Sequence, residues 1–462
     1  MPESAGAIAN NIREFESLRD FFSSSTLVAF IDMPFLLLFI WVVYYIGGPL
    51  VMPILVAVPV VILVGIFIQI PFQHIVENHY KESTQKNALL FEIVHGLETI
   101  KTCLAEGRIQ ARWENVVGMS ANSNSKAKVM ANISVTFSML VAQMVSVSLI
   151  IMGVFLISKG ELTVGGLIAC NILSGRAMAP LSAVAGLLTR FQQSRMALSA
   201  LDMLMKMPSE RPEDKEAFTY TRTEPSITME DVSFSYPGTD KAVLQNIKLH
   251  IKPGEKVGII GRIGAGKSTL GKLCIGLYQP VEGSVKLGNI DLRQMDVAEL
   301  RRRVGYVSQD SLLFYGTLKE NIAFGLPEAD DQTIRHVADL AGVTDFVKAH
   351  PAGFGMMVGE RGASLSGGQR QAVSIARTLL RDPEVLIMDE PTSNMDQRSE
   401  YQLKERMAEY VKDKTLIVIA HRQSMLDLVD RLIIVDGGKI AVDGPKKAVL
   451  EGLRTGRIKV NL

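Results

Sequence analysis

The spacing of apolar residues changes part-way along the chain. Up to about Arg190 they come in long runs almost free of charge, whereas beyond it they come in short runs broken by glycine and charged residues. Four of the early runs have the length of a bilayer crossing, which takes about 20 apolar residues. Residues 26–45, "TLVAFIDMPFLLLFIWVVYY", carry Asp32 alone. Residues 49–70, "PLVMPILVAVPVVILVGIFIQI", and 129–158 carry no charge. Residues 162–188 are broken by Arg176 and Pro180. The pattern predicts four membrane-spanning helices. "YIGGP" and "KGELT" make tight hairpins of the first and second pairs, and residues 71–128 form a polar helical hairpin outside the bilayer. An even number of crossings returns the chain to its starting side. Residues 207–226, rich in Pro, Glu, Lys and Thr without apolar periodicity, read as a linker. The division is therefore a transmembrane domain over 1–206 and a soluble domain over 227–462.

Past the linker the runs shorten to strand length and alternate with helix-length segments, the pattern of an α/β domain. "KVGIIG", residues 256–261, is an apolar strand running into "GRIGAGKSTL" and then a helix. That strand–loop–helix context is what the G-x-x-x-x-G-K-[ST] pattern requires. Gly261, Gly264 and Gly266, with Ala265 among them, let backbone N–H groups converge on phosphate oxygens. Lys267 supplies charge to the β- and γ-phosphates, and Ser268, followed by Thr269, offers a hydroxyl to Mg2+. A second buried strand, "EVLIMDE", ends in two acids, so Asp389 reads as a Mg2+ ligand and Glu390 as the base that polarises water. A third, "TLIVIAHR", brings His421 to its end, within reach of a γ-phosphate. "RLIIVDGGKIAVDG" predicts a hairpin with an Asp-Gly turn.

"SLSGGQRQ" has no acid, histidine or lysine with which to run a reaction. It leads into a helix with Val373, Ala376, Leu379 and Leu380 on one apolar face, so Ser366, Gly367, Gly368 and Gln369 form a helix N-terminus, an anion-binding end. One chain thus carries two phosphate-binding helix ends. The simplest arrangement is a homodimer, head to tail, in which each copy's Ser366 end completes the other's ATP site. A capped helix on one surface is the plainer alternative.

Composition narrows the partners. The formal net charge is +1, which gives no electrostatic case for nucleic acid. Cys103, Cys170 and Cys274 have no metal-type spacing and read as reduced small hydrophobes. The N-terminus lacks the basic start and apolar core of a signal peptide and reads as an amphipathic helix approaching a membrane. Asp32 and Arg176 are intramembrane charges, whose first expected role is pairing with another helix and whose second is contact with a transported substrate. His74, His79 and His95 are expected in solvent.

Residues 261–268, 365–369 and 386–390, followed by His421, together resemble the nucleotide-binding domain of an ABC transporter. The resemblance covers essentially the whole chain. It implies an α-helical transmembrane domain followed by an α/β P-loop ATPase domain, with ATP and Mg2+ as cofactors. It assigns Tyr236 of "FSYPG" to adenine stacking, Gln309 of "VGYVSQD" to the metal and to communication with the membrane domain, and residues 393–396 to a loop crossing the dimer interface. "CLAEGR" and "REFESLRDFF" are similar to coupling segments, and "GERG" to an exporter loop that meets them in the partner.

Among subfamilies, "IDMPF", "LSGRAMAPL", "LTRFQQSRMAL" and "GRIGAGKSTL" look like bacterial type I secretion ATPases that export adhesins or toxins. That implies an inner-membrane homodimer in a lipid bilayer, working with a periplasmic adaptor and an outer-membrane channel on a secreted protein. Export of a lipid, drug or peptide is the alternative within transport. A membrane-anchored fragment that binds ATP without transporting is the alternative outside it. The family pattern has six spans per half and four are visible, so the chain reads as N-terminally truncated, with no room for a peptidase domain.

Overall fold

The structure, a computed structural model, describes residues 15–22, 24–207, 209–210, 224–239, 241–420 and 423–458. The chain divides into two compact units, Met1–Ser209 and Glu210–Leu462. The division falls inside the expected linker. Pro225 and Ser226 nevertheless belong to the second unit's fold: Ser226 is buried and the Pro225 carbonyl accepts a hydrogen bond from Thr415.

The described part of the first unit is built of helices joined by short turns. α1 spans Phe15–Phe22, α2 Ser24–Gly47, α3 Met52–His95, α4 Leu97–Thr102, α5 Glu106–Ser158 and α6 Val164–Met205. The expected spans overlap α2, α3, α5 and α6, two of them starting two or three residues ahead of the helix, and three of these helices run well past the apolar stretch. Nothing stops a helix where its side chains turn from apolar to polar. α3 continues to His95 and α5 begins at Glu106, making the polar hairpin, with Leu104 exposed at the tip. A Lys101–Glu106 ion pair of 3.1 Å spans that turn.

Leu50, Ile54, Leu149 and Cys170 pack at the centre of this unit. Contact there is close because the glycines leave no room for more. A Cβ on Gly153 would lie 2.2 Å from Leu167 Cδ1, and one on Gly47 2.9 Å from Cys170 Sγ. The outer surfaces are apolar too. The most hydropathic windows of Ile31–His95 and Glu106–Ser158, at 3.0 and 2.5, are only 22% and 17% buried. A soluble protein would bury such surface, so the inversion suits helices solvated by lipid. Asp32 and Arg176 are both exposed, and no ion pair between described residues involves either. His79 is half-buried, with Nδ1 enclosed and unpartnered among the described residues, so it is not the solvated side chain expected. Cys103 is exposed, while Cys170 and Cys274 are buried.

The second unit has two sheets. The smaller contains β1 (Ile227–Phe234), β2 (Leu244–Ile251), β4 (Glu282–Leu287) and β5 (Ile290–Asp291), in the order β2-β1-β4-β5, all antiparallel. The larger contains β3 (Lys256–Gly261), β6 (Val304–Val307), β7 (Val385–Asp389), β8 (Thr415–Ile419), β9 (Arg431–Asp436) and β10 (Lys439–Pro445), in the order β10-β9-β3-β8-β7-β6. All its pairs are parallel except β9–β10, the predicted hairpin, which turns through Gly437 and Gly438 at φ 53° and 79°.

The unbroken apolar runs of β7, β8 and β9 follow from burial on both faces. Leu386, Met388, Leu416, Val418, Leu432 and Ile434 point into one core. Val385, Ile387, Ile417, Ile419, Ile433 and Val435, one residue out of step, point into the other. The helices that matter for the site are α7 (Lys267–Cys274), α8 (Val297–Arg303), α9 (Asp331–Ala341), α10 (Gly367–Leu379), α11 (Gln397–Tyr410) and α12 (Gln423–Leu426).

Candidate functional site: a phosphate loop beside two strand-end acids

Strand order builds the site. β8 lies between β3 and β7, so the loop leaving β3 and the acids ending β7 emerge on either side of one strand. Ligands of open parallel sheets bind at these carboxyl ends.

Gly261 ends β3 at φ 153°, and a Cβ there would lie 2.1 Å from the Val435 carbonyl oxygen. Gly264 and Gly266 follow at φ 80° and 100°, backbone that favours glycine. Ala265, within the loop, is buried, Ser268 is half-buried and Thr269 buried. Lys267 opens α7 and folds back over the loop, donating from Nζ to the Gly261 and Arg262 carbonyls at 2.8 and 2.9 Å. Burial lowers its pKa, while the charges of Glu390 and Asp389 work the other way. The loop thus encloses a cation held by replaceable neutral acceptors.

Asp389 ends β7 and is 2% exposed. Its Oδ2 accepts from the Tyr306 hydroxyl at 2.9 Å, and its Oδ1 is enclosed without a hydrogen-bond partner among the described residues. A buried carboxylate oxygen with no donor is costly unless a cation meets it. The donor set, carboxylate and hydroxyl oxygen, is the one Mg2+ takes. Asp389 and Ser268 therefore fit the metal that the sequence implies.

Glu390 is next, with φ 48°, its N–H donating to the Ile419 carbonyl at 2.8 Å. Gln309 Nε2 donates to Glu390 Oε2 at 3.1 Å, so Gln309 meets the expected base directly. His421 lies outside the described residues. Tyr236 packs edge-on against Phe234 and Tyr278, with ring centroids 5.0 and 5.2 Å away, and its hydroxyl lies 3.0 Å from Thr269 Oγ1. That bond ties the expected adenine-stacking ring to the phosphate-loop helix.

Ser366 stands elsewhere, capping α10. Its hydroxyl accepts from the Gln369 N–H at 3.3 Å while Gln369 Oε1 accepts from the Ser366 N–H at 2.9 Å, a complete capping box. A cleft of about 590 Å³ opens beside it, lined in part by Gln369, Asn394, Asp396, Arg398 and Arg406.

Three site residues are given no role by the sequence patterns: Tyr306, Gln371 and Glu400. Gln371 and Glu400 are buried polar positions, with long side chains, on otherwise amphipathic helices, and that mismatch with the burial period is the signal they leave.

A P-loop at the end of β3, strand-end acids on β7 and a second serine–glycine helix start define a nucleotide-binding ABC domain. Residues 244–393 match the ABC transporter family model and residues 3–181 the model for the ABC transporter transmembrane region. The chain belongs to the ABC transporter family.

Among curated relatives, leukotoxin translocation ATP-binding proteins of Mannheimia glucosida, Mannheimia haemolytica and Bibersteinia trehalosi are each 33% identical over 446 residues, 96% of this chain. The chain spans 63% of the length of these relatives. Its fold is similar to that of a bacterial Atm1-family ABC exporter with ATP bound, at TM-score 0.87 and 27% identity, over 96% of this chain and 77% of that one.

Proposed function

We propose that the protein is the ATP-hydrolysing subunit of a membrane exporter, working as a pair of identical copies. The observation that carries this is Asp389, one oxygen held by Tyr306 and the other open, beside Glu390 at the end of β7, one strand removed from the β3 end that leads to Lys267.

In this scheme ATP replaces two carbonyls as the partner of Lys267. The β- and γ-phosphates take the ammonium from Gly261 and Arg262, and the N–H groups of residues 264–268 close around them. Asp389 and Ser268 would hold Mg2+ with Gln309 near by, and the ion would neutralise phosphate charge as it develops. Glu390, its carboxylate oriented by the Gln309 amide, takes the proton from the attacking water. His421 is assigned to the γ-phosphate and Tyr236 to adenine. Ser366, Gly367, Gly368 and Gln369 complete the site of the other copy, because α10's capped start is a second anion-binding end on the same chain. ATP thereby favours the closed pair by binding it better than the open one.

The proposed domains remain a transmembrane part over 1–206, its four spans returning the chain to one side, a linker over 207–226 and a cytoplasmic ATPase over 227–462. The proposed setting is a bacterial inner membrane, and the cargo a large secreted protein passed to a periplasmic adaptor and an outer-membrane channel. Likeness to leukotoxin translocation proteins supports that choice.

The test is Glu390→Gln in the purified chain. It should bind ATP with parental affinity and lose at least 100-fold in steady-state turnover, accumulating as an ATP-bound dimer by size-exclusion chromatography. Parental turnover would remove Glu390 as the base and the scheme with it.

A further inference from the structure

Gln371 lies inside the second turn of α10 and has no exposed surface. A buried amide must spend its donors and acceptor inside the protein. Here all go to one stretch of chain, the loop from Glu390 to Asp396 that joins β7 to α11. Gln371 Nε2 donates to the Glu390 carbonyl at 2.8 Å and, at longer range, to Ser393 Oγ at 3.4 Å. Its Oε1 accepts from the Asn394 N–H at 3.1 Å.

The same loop lies directly under the glycines at the start of α10. A Cβ on Gly367 would meet Asn394 Cβ at 3.1 Å, and one on Gly368 the Asn394 carbonyl oxygen at 3.0 Å. From the other side Glu400 of α11 accepts from Thr392 Oγ1 at 3.0 Å and from the Ser424 hydroxyl of α12. Glu390 itself holds a left-handed φ, a conformation that survives only where its surroundings impose it.

We infer that Gln371 is a positioning residue that links two half-sites on one chain: it carries the position of the Ser366 end of α10 to the backbone of Glu390. The inference rests on the shared-site scheme above. α10 presents Ser366 to the other copy's nucleotide, whereas Glu390 serves this copy's own. Close packing between Gly367, Gly368 and Asn394 leaves no slack, and hydrogen bonds made without water nearby have no substitute when broken. A small rigid shift of α10 on meeting nucleotide must therefore move Glu390.

The test uses full-length heterodimers with separate affinity tags, one copy carrying Lys267→Ala so that only the other copy's phosphate loop is active. Gln371→Met, which keeps the volume and removes the hydrogen bonds, is placed in either copy. In the copy with the active loop, whose Glu390 does the work, it should lower kcat at least tenfold with KM for ATP changed less than threefold. In the copy that donates only Ser366 the loss should be markedly smaller. Gln371→Glu keeps an acceptor for Asn394 but loses the donor to Glu390, so it should show the same asymmetry. It decides the matter if the methionine variant fails to bind ATP. Equal losses in both placements, or kcat within twofold of the parent in both, would overturn the inference. Full turnover by Glu390→Gln would instead overturn the functional scheme. An inactive Glu390→Gln beside undisturbed Gln371 variants rejects the link alone.

Discussion

Tyr306→Phe is the smallest perturbation that reaches Asp389, the acid proposed to hold the metal, because it removes one oxygen atom. Tyr306 pairs with Ile387 across β6 and β7 and directs its hydroxyl to Asp389 Oδ2 at 2.9 Å. Burial, followed by the Asp389 charge, drives the phenol pKa well above its ordinary value, so the hydroxyl remains a proton donor at every usable pH. Without it, Asp389 has neither oxygen hydrogen-bonded among the described residues in a position 2% exposed to water. A hydrogen bond to a charged group contributes about 1.5–3 kcal/mol, most of it felt when the buried partner is left unsatisfied. For a unit of this size that lowers the melting temperature by about 2–4 °C per kcal/mol. Each 1.4 kcal/mol is also about tenfold in an equilibrium constant. A carboxylate freed to turn away from the metal should therefore raise the Mg2+ half-saturation of hydrolysis by about tenfold. The assays are thermal unfolding of the purified chain in detergent and Mg2+ titration of turnover, with Mn2+ binding in the presence of ATP followed by electron paramagnetic resonance. A melting temperature within 1 °C of the parent and an unchanged metal titration would refute the idea that Tyr306 holds Asp389 for the cation.

Other consequences follow from the same geometry. Gly261→Ala forces a Cβ to within 2.1 Å of the Val435 carbonyl, so β3 must separate from β9. It should cost about 1–3 kcal/mol or more and abolish ATP binding. Gly264→Ala, with nothing within 4 Å, should meet only the strain of its φ of 80° and retain measurable binding. Equal behaviour of the two in ATP titrations would contradict the close-approach explanation. Ser366→Arg and Lys267→Ala chains, each inactive alone, should regain part of the parental turnover as purified heterodimers, since one intact composite site is restored. No recovery would count against sites shared between copies.

Much of the site was legible because its parts are local in sequence. The phosphate loop needs only a strand, glycines and a helix start in succession, and the same holds for the serine–glycine start of α10. Long uncharged runs dictated helices with apolar outer surfaces, since bilayer thickness fixes the length and lipid removes the need to bury them. The polar hairpin over 71–128 was legible as helix, but not that α3 and α5 run unbroken from the apolar stretch into it, because hydropathy reports where polarity changes and not where a helix ends.

Neighbourhood was the part only tertiary structure decided. β8 arrives between β3 and β7 from more than 20 residues away, and that alone brings Lys267 to Asp389 and Glu390. Glu400 lies outside the motifs, while Tyr306 and Gln371 sit inside "VGYVSQD" and "SLSGGQRQ" with no role of their own there. Each is defined by what its buried polar atoms can reach, and hydrogen bonds between residues up to 83 positions apart arise only after the sheet has chosen its strand order. Sequence determined which groups the protein possesses; packing determined which of them touch, because distance along a chain carries no information about distance across a core.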